Sequence, residues 1–386
     1  MSFYVSPYYL IFSSFAVLLL WLGQRTGSKR ACLTVLNLAV FTLIFSVWKG
    51  QAVILASLAA LGFCSAKLVV RIPAKYLLAR RSILWLAIGG LVVGMFISTG
   101  EVPAEYRVIR VFGHLSASEF LCVSFFVIRM IHVLVDAEGG EVGKLSAVDL
   151  LNYLFFFPLF ISGPVSRYQD FLSDLERSHS PSWEGTYHGL HRIIVGYFKK
   201  FVLANSLSFF SIDQLSNWDI AHLPKWKVLI ALYTFTIVLY LDFSGYTDAA
   251  IGISGLLGFR CPENFNRPLL AVNLQEFWNR WHISFINWLK QYVYFPLSSV
   301  LYRSGLRNFT VISALSTWLT FVLAGFWHGF GLNYLFYGLY HAFGLTVLML
   351  FRQLNLDTKM PKALSWFVTF NFISFGWFFF LNKVPL

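Results

Sequence analysis

The sequence predicts an all-α polytopic membrane protein of roughly eleven transmembrane helices, with re-entrant and interfacial pieces between them. Three observations predict it. Apolar runs near 20 residues recur from end to end, the length a helix needs to cross about 30 Å of hydrocarbon. Only 12% of the chain is charged against 57% apolar, roughly half the charge of an ordinary soluble domain. Phe is abundant (41 residues), and Trp and Tyr gather near the ends of the apolar runs, where amphipathic rings anchor to the interface.

The formal charge of +12 does not mark a nucleic-acid binder. The basic residues lie in short links between apolar runs, which the positive-inside bias explains, and no basic tract carries interleaved aromatics. Cys32, Cys64, Cys122 and Cys261 are far apart without CxxC spacing, so neither a metal site nor a disulfide framework is expected. Met1-Ser2 leads into an apolar run with no basic leader and no small-residue cleavage site. That run reads as a first membrane helix.

The first run is Tyr8 to Leu22, closed by a basic link through Arg30. The second is Ala31 to Trp48, with Lys49-Gly50-Gln51 expected as a tight turn. The third, Ala52 to Val70, ends in a segment carrying Lys67, Arg71, Lys75, Arg80 and Arg81. The fourth is Ile83 to Ser98, followed by a mixed-charge link with Glu101, Glu105, Arg107 and Arg110. Strongly basic links after runs one and three place those links in the cytoplasm and the N-terminus outside. The fifth run, Phe120 to Val135, carries Arg129 and His132 on one helix face. Arg129 is expected to snorkel or pair inside the bundle, with a polar cavity as the other reading, and an acidic link Asp136 to Gly143 follows.

Leu151 to Pro164 is too short for an ordinary span and is interrupted by Pro158, Gly163 and Pro164. Irregular backbone at membrane depth needs protein or a wet cavity to satisfy it, so a re-entrant or broken helix is expected. Ser166 to Phe171 then returns to polar surface, and Ser173 to Trp183 reads as a loop. In Tyr187 to Phe198, His188 and His191 suit an exposed or interfacial face better than a metal site. Phe201 to Phe210 and Val228 to Leu241 read as spans. Asp242 to Asp248 ends the second of these with two carboxylates, either catalytic acids or locally paired groups. Gly252, Gly255 and Gly258 suggest close helix approach.

Gln275 to Tyr294 alternates aromatic and polar residues at helical spacing, as an interfacial helix does. It carries His282 and is expected to stop at Pro296. Two spans follow, Val311 to Phe330 with His328 and Tyr334 to Phe351 with Tyr337 and His341, then a basic link and a last run, Trp366 to Leu381.

His328 has no charged residue within ten positions on either side. A titratable ring at membrane depth marks a functional site by default, although a lone histidine is more often a neutral group bonded inside a bundle. His282, His328 and His341 have Asp242, Asn264, Glu276 and Arg280 near them in sequence. There is no Gly-x-Ser-x-Gly elbow, P-loop or His-Glu-x-x-His. Histidine as a general base remains, matched to neutral pH. Acyl transfer from a thioester to a hydroxyl needs little else, with His282 or Asn279 as a donor to the oxyanion. A transporter or channel relaying protons through buried histidines is the alternative of another class, although no paired interrupted segments occur in matching halves. A catalytically silent partner subunit of the same fold is a third.

Phe277-Trp278-Asn279-Arg280-Trp281-His282-Ile283-Ser284 followed by Gly325-Phe326-Trp327-His328-Gly329 resembles the membrane-bound O-acyltransferase (MBOAT) family. So do Ser162-Gly163-Pro164 with Arg167-Tyr168, Leu241-Asp242-Phe243-Ser244-Gly245-Tyr246, and Pro262-Glu263-Asn264-Phe265-Asn266-Arg267-Pro268. The wording around Asn279 and the short link between the histidines look most like the DltB branch that D-alanylates teichoic acid, and next like the AlgI and PatA branch of polysaccharide O-acetyltransferases. The resemblance implies one membrane domain over 1–386. Its N-terminal helices would occupy 1–135, its signature core 151–341 around a central funnel, and its last helix 364–382.

The resemblance implies that His328 is catalytic and His282 the second signature histidine. Trp281, Asn279, Arg280, Ser284, Trp327, Asp242, Tyr246, Asn264 and His341 would support them. It implies no bound cofactor or metal. The donor would be the phosphopantetheine thioester of an acyl (D-alanyl) carrier protein on the cytoplasmic face. The acceptor would be an envelope polymer or lipid-linked hydroxyl reached from outside, with a membrane-anchored partner acyltransferase possible. Such a carrier is acidic as a rule, and basic inside-facing links would attract it. The setting implied is a bacterial cytoplasmic membrane.

Overall fold

The computed structural model describes residues 7–25, 27–47, 49–99, 117–143, 145–177, 182–356 and 360–383. They form helices joined by short links, in two compact units, residues 1–193 with 250–262 and residues 194–249 with 263–386. Among the described residues, six helices are long and apolar enough to cross a membrane.

The first unit opens with α1 (Pro7–Arg25), α2 (Lys29–Val47), α3 (Lys49–Arg71), α4 (Leu77–Thr99) and α5 (Ala117–Gly139), one for each of the first five apolar runs. The mixed-charge link with Glu101, Glu105, Arg107 and Arg110 lies outside the described residues. Lys49-Gly50-Gln51 is not a free turn but the first turn of α3. The first N–H groups of a helix have no internal partner anyway, so a glycine there costs little. Asp136, expected in a link, lies inside α5. It is 3% exposed and accepts from Arg167 Nη2 at 3.0 Å and Gln169 Nε2 at 2.7 Å.

The interrupted stretch is a broken helix. α6 (Ala147–Leu154) is capped by Ser146 and stops at Leu154, and the chain then runs non-helical and largely buried to Arg167. Its backbone polar groups are met by side chains from other helices, as water-poor surroundings demand. Arg129, 1% exposed, reaches the carbonyls of Tyr153, Leu154 and Leu159 at 3.2–3.4 Å. Asn37 Oδ1 accepts from the Phe157 N–H at 3.2 Å, and Tyr153 donates to the Ser166 carbonyl at 2.7 Å. His132 Nε2 accepts from the Tyr168 N–H at 2.9 Å, and its Nδ1 faces Asp136 at 3.3 Å. Arg129 and His132 therefore hold the fold together.

The expected return to surface at Ser166 does not occur, since Ser166, Tyr168 and Phe171 are buried. α7 (Tyr168–Glu176) takes in the first four residues of the expected loop. Asp174, 2% exposed, ties α7 to Arg260.

α8 (Trp183–Tyr197) continues through a π-helical turn, Phe198–Ala204, into α9 (Asn205–Ser208), so Phe201 to Phe210 is not a separate span. His188 stands exposed 3.8 Å from Glu184, a carboxylate one turn away, and no metal-holding cluster occurs among the described residues. α10 (Asn217–His222) begins at a Ser216–Asp219 capping box. α11 (Lys225–Leu256) is a single 32-residue helix, about 48 Å long at 1.5 Å per residue. It does not end at Asp242.

Gly255 meets open space, and Gly258 (φ 83°) closes the helix end, its N–H donating to the Gly255 carbonyl at 3.0 Å. Of the three glycines, Gly252 makes the expected close approach, and Gly245 makes another. In the first unit a Cβ on Gly252 would lie 2.7 Å from the Gly189 carbonyl oxygen, and in the second a Cβ on Gly245 would lie 2.6 Å from that of Gly196.

The rest of the second unit holds α12 (Leu274–Arg280), α13 (Ile283–Leu289), α14 (Phe295–Arg303), α15 (Phe309–His328), α16 (Leu332–Gln353) and α17 (Lys362–Phe380). The expected single interfacial helix is broken at Trp281–His282. Pro296 does not stop it either. A π-helical turn, Lys290–Tyr294, carries α13 into α14 with the proline in the first turn of α14, where its missing N–H is tolerated.

Candidate active site

Two signature stretches clip together to place His282. The Asn266 N–H donates to the Arg280 carbonyl at 3.0 Å and the Ile283 N–H to the Asn264 carbonyl at 2.9 Å, flanking a bridge between Phe265 and Trp281. The clip ends α12 and forces His282 left-handed (φ 46°, ψ 48°), a conformation histidine adopts more readily than most residues. Phe277 stacks on Trp281 at 5.5 Å.

Asn264, fully buried, accepts at Oδ1 from the Ser284 N–H (3.2 Å), the Ser284 hydroxyl (2.8 Å) and His282 Nδ1 (3.1 Å). A backbone N–H can only donate, so the amide orientation is fixed and with it the imidazole tautomer: Nδ1 carries the proton and Nε2 the lone pair. Burial, and then the neighbouring His328, push the His282 imidazole down to about 3. It is therefore neutral at physiological pH.

His328 is the last residue of α15, and Gly329 turns the chain away at φ 150° and ψ 168°, where a side chain would be strained. Gly325 and Gly338 let α15 and α16 touch: a Cβ on either would stand 2.3 Å from the Tyr334 or Phe321 carbonyl oxygen. The approach brings the His328 ring to Tyr334 (6.1 Å), Tyr337 (6.3 Å) and Phe380 of α17 (5.0 Å). Trp327 bridges the two histidines, 6.2 Å from the His282 ring and 4.6 Å from His328. Phe285 packs against it at 4.3 Å, its ring tilted by 31°.

His282 and His328 line one chamber of about 90 Å³. Its other walls are apolar or aromatic, among them Phe243, Trp281, Tyr337, Trp377 and Phe380, with no carboxylate. Phe243 sets its ring edge 4.9 Å from His282. A larger cavity of about 690 Å³ adjoins it, lined by Asn279, Lys290, Thr317 and Arg352 among others. Trp278, Ile286 and Phe321 line both.

The other expected residues divide. Trp281 lines the chamber; Ser284 and Asn264 hold His282; Trp327 packs between the histidines. Asn279 faces the larger cavity, where its Oδ1 accepts from Lys290 Nζ at 2.8 Å. Arg280 pairs with Glu276 at 2.5 Å. Asp242 and Asp248 pair with Lys200 (2.5 Å) and Lys199 (2.7 Å), the locally paired alternative. Tyr246 is on α11 and does not line the chamber. His341 is 1% exposed behind Trp278 (4.9 Å) and Tyr337 (4.5 Å), with neither ring nitrogen hydrogen-bonded.

Trp377 and Phe380 are not legible as site residues: in sequence they are ordinary aromatics of an apolar helix, and only packing selects them. Phe243 lies in a stretch that resembles the family, but only packing puts it on the chamber wall.

Residues 76–384 match the family model of MBOAT, the membrane-bound O-acyltransferase family. The chain belongs to this family. It is accordingly a membrane acyltransferase. The teichoic acid D-alanyltransferase of Bacillus subtilis is 31% identical over 274 residues, 68% of this chain and 69% of that protein. The peptidoglycan O-acetyltransferase of Helicobacter pylori is 34% identical over 61% of this chain and 44% of its own. The probable alginate O-acetylase AlgI of Azotobacter vinelandii is 32% identical over 67% and 50%. The chain thus spans about half the length of these two O-acetyl relatives and more of the D-alanyl one. The matched range 76–384 includes the clip, the glycine approaches and both histidines.

Proposed function

We propose that this MBOAT protein moves an acyl group from a thioester to a hydroxyl of a cell-envelope polymer, with His328 as general base. The observation that carries the reading is the pairing of both histidines on one small chamber. His328 takes the acceptor proton as the oxygen attacks the acyl carbonyl. The C–O bond forms, the C–S bond breaks, and the thiolate leaves as the thiol after taking that proton. His282, neutral with Nδ1–H committed to Asn264, accepts at Nε2. It suits holding the acceptor hydroxyl, and an oxyanion-donor role does not fit that tautomer. Asn279, engaged with Lys290 in the larger cavity, is not placed as that donor either.

The D-alanyltransferase relative favours D-alanyl from a phosphopantetheine carrier protein. The two O-acetyltransferase relatives support acetyl as the second reading. We place the protein in a bacterial cytoplasmic membrane with its N-terminus outside. The carrier docks on cytoplasmic links where Arg71, Lys75 and Arg81 are exposed, and a membrane-anchored partner completes delivery to the polymer. Arg80 is excluded from docking because it caps the α5 carbonyls of Ala137 and Glu138.

The test is His328→Ala in purified protein, given D-alanyl- and acetyl-carrier thioesters with poly(glycerol phosphate) or alginate. Loss of transfer with retained thermal stability supports the reading. Wild-type protein that transfers neither group, or a variant as active as wild type, overturns it.

A further inference from the structure

We propose that Trp278 sets the length of acyl group the protein accepts, as a partition between the larger cavity and the histidine chamber. The inference rests on the acyl-transfer reading and deepens it.

The two cavities share only Trp278, Ile286 and Phe321. Trp278 is the largest, and its ring meets the Phe321 ring edge-on at 5.1 Å (67°). The two rings close much of the common wall. The chamber behind them holds about 90 Å³. An apolar cavity of about 150 Å³ holds benzene, roughly 25 Å³ per heavy atom, so this chamber takes about three or four. An acetyl group has three heavy atoms and fits; a D-alanyl group has five, so of the two acyl readings the chamber favours acetyl, and D-alanyl must already press on the Trp278 wall. Each further methylene must push against Trp278, and a closed apolar pocket rejects one extra methylene by roughly tenfold or more.

A second observation concerns how Trp278 is held. Its indole N–H is buried without a hydrogen-bond partner, and so are both ring nitrogens of His341 behind it, 4.9 Å away at 86°. No polar tether fixes the indole, so packing alone sets the partition. The space it occupies becomes available to substrate when the ring is removed.

The experiment uses full-length protein in detergent micelles. Acetyl, propionyl, butanoyl and hexanoyl thioesters of phosphopantetheine on a carrier protein are offered, with poly(glycerol phosphate) and alginate together as acceptors. Thiol release and polymer esterification are both read. Wild type should lose at least tenfold in kcat/KM from acetyl to hexanoyl. Trp278→Ala should raise the hexanoyl-to-acetyl ratio at least tenfold, and Trp278→Phe should fall between. Phe321→Ala, on the other half of the wall, should shift the ratio the same way and carries the test if Trp278→Ala does not fold. Wild type using hexanoyl as well as acetyl overturns the proposal. So do ratios within twofold of wild type in the folded variants. With D-alanyl thioester offered as a fifth donor, wild type that transfers D-alanyl but none of the four overturns the partition alone, and wild type that transfers none of the five overturns the acyl-transfer reading itself.

Discussion

Replacing Asn264 by Ala tests how the His282 site is built. Asn264 Oδ1 is the common acceptor for His282 Nδ1, the Ser284 N–H and the Ser284 hydroxyl. The hydroxyl can turn towards another acceptor, but the backbone N–H and the imidazole N–H cannot re-aim. Each orphaned donor in so buried a place costs about 1–3 kcal/mol, or about 2–6 kcal/mol together. A water filling the vacated amide volume, about 30 Å³ in the liquid, brings the loss to the low end. Turnover should fall further than stability, by about ten- to hundredfold, the usual effect of removing the group that orients a functional histidine.

The assay pairs the thioester-transfer rate with thermal unfolding in detergent. Asn264→Asp supplies the readout that a purely structural role would leave unmoved. It keeps an acceptor at the same place, so most stability returns. Its carboxylate favours the imidazolium, so the acidic limb of the pH–rate profile moves to higher pH. Wild-type turnover in Asn264→Ala, or an unshifted profile in Asn264→Asp, refutes the assignment.

Arg129→Met leaves the carbonyls of Tyr153, Leu154 and Leu159 without their guanidinium and should cost about 3 kcal/mol or more, seen as a lowered Tm in detergent. Arg129→Lys should recover only part, because a point charge cannot span three acceptors. Asp242→Asn and Asp248→Asn should each cost about 1 kcal/mol or less, because the pairs with Lys200 and Lys199 are partly exposed. Transfer should stay within about threefold, whereas a catalytic acid would lose about a hundredfold. The His282 pKa of about 3 lies below its unfolded value near 6.5. The unfolded chain therefore binds the extra proton first as pH falls. This contribution to stability is full above pH ~6.5 and declines towards pH ~3, by up to about 1.4 kcal/mol per pH unit. Thermal unfolding across that window checks it, and His282→Gln should flatten the slope.

Much of this fold is legible in sequence because hydrocarbon imposes simple rules. Run length marks the spans, and the Pro158, Gly163 and Pro164 interruption marks the broken helix. Both histidines stand out as polar rings in apolar context. The departures occur where a distant partner overrides a local signal. Nothing between Gln275 and Tyr294 breaks a helix by propensity. The break at His282 comes from backbone bonds to a stretch 14–19 residues earlier, which helical periodicity cannot register. Pro296 should stop a helix, yet the π-helical turn before it absorbs the missing donor. Asp242 and Asp248 should end one, yet Lys200 and Lys199 neutralise them from α9's approach, 42 and 49 residues away.

The two histidines occupy opposite ends of their helices, and that asymmetry bears on their division of labour. His282 immediately precedes α13, and His328 is the final residue of α15. A helix N-terminus carries partial positive charge and a C-terminus partial negative charge, each felt within about one turn. A proton on His282 would meet the unfavourable end, beside Nδ1–H already donated to Asn264. The His328 ring lies at the partially negative end of α15. In a chamber with no carboxylate, helix ends and backbone are the fixed charges that can separate two otherwise equal imidazoles. The left-handed backbone at His282 has a purpose on this view. It holds the ring at the start of a helix, where the imidazole stays neutral and accepts, while Gly329 releases the chain as soon as α15 has delivered His328 to its end. The places where the helices begin and stop thus set the two rings in opposite local fields.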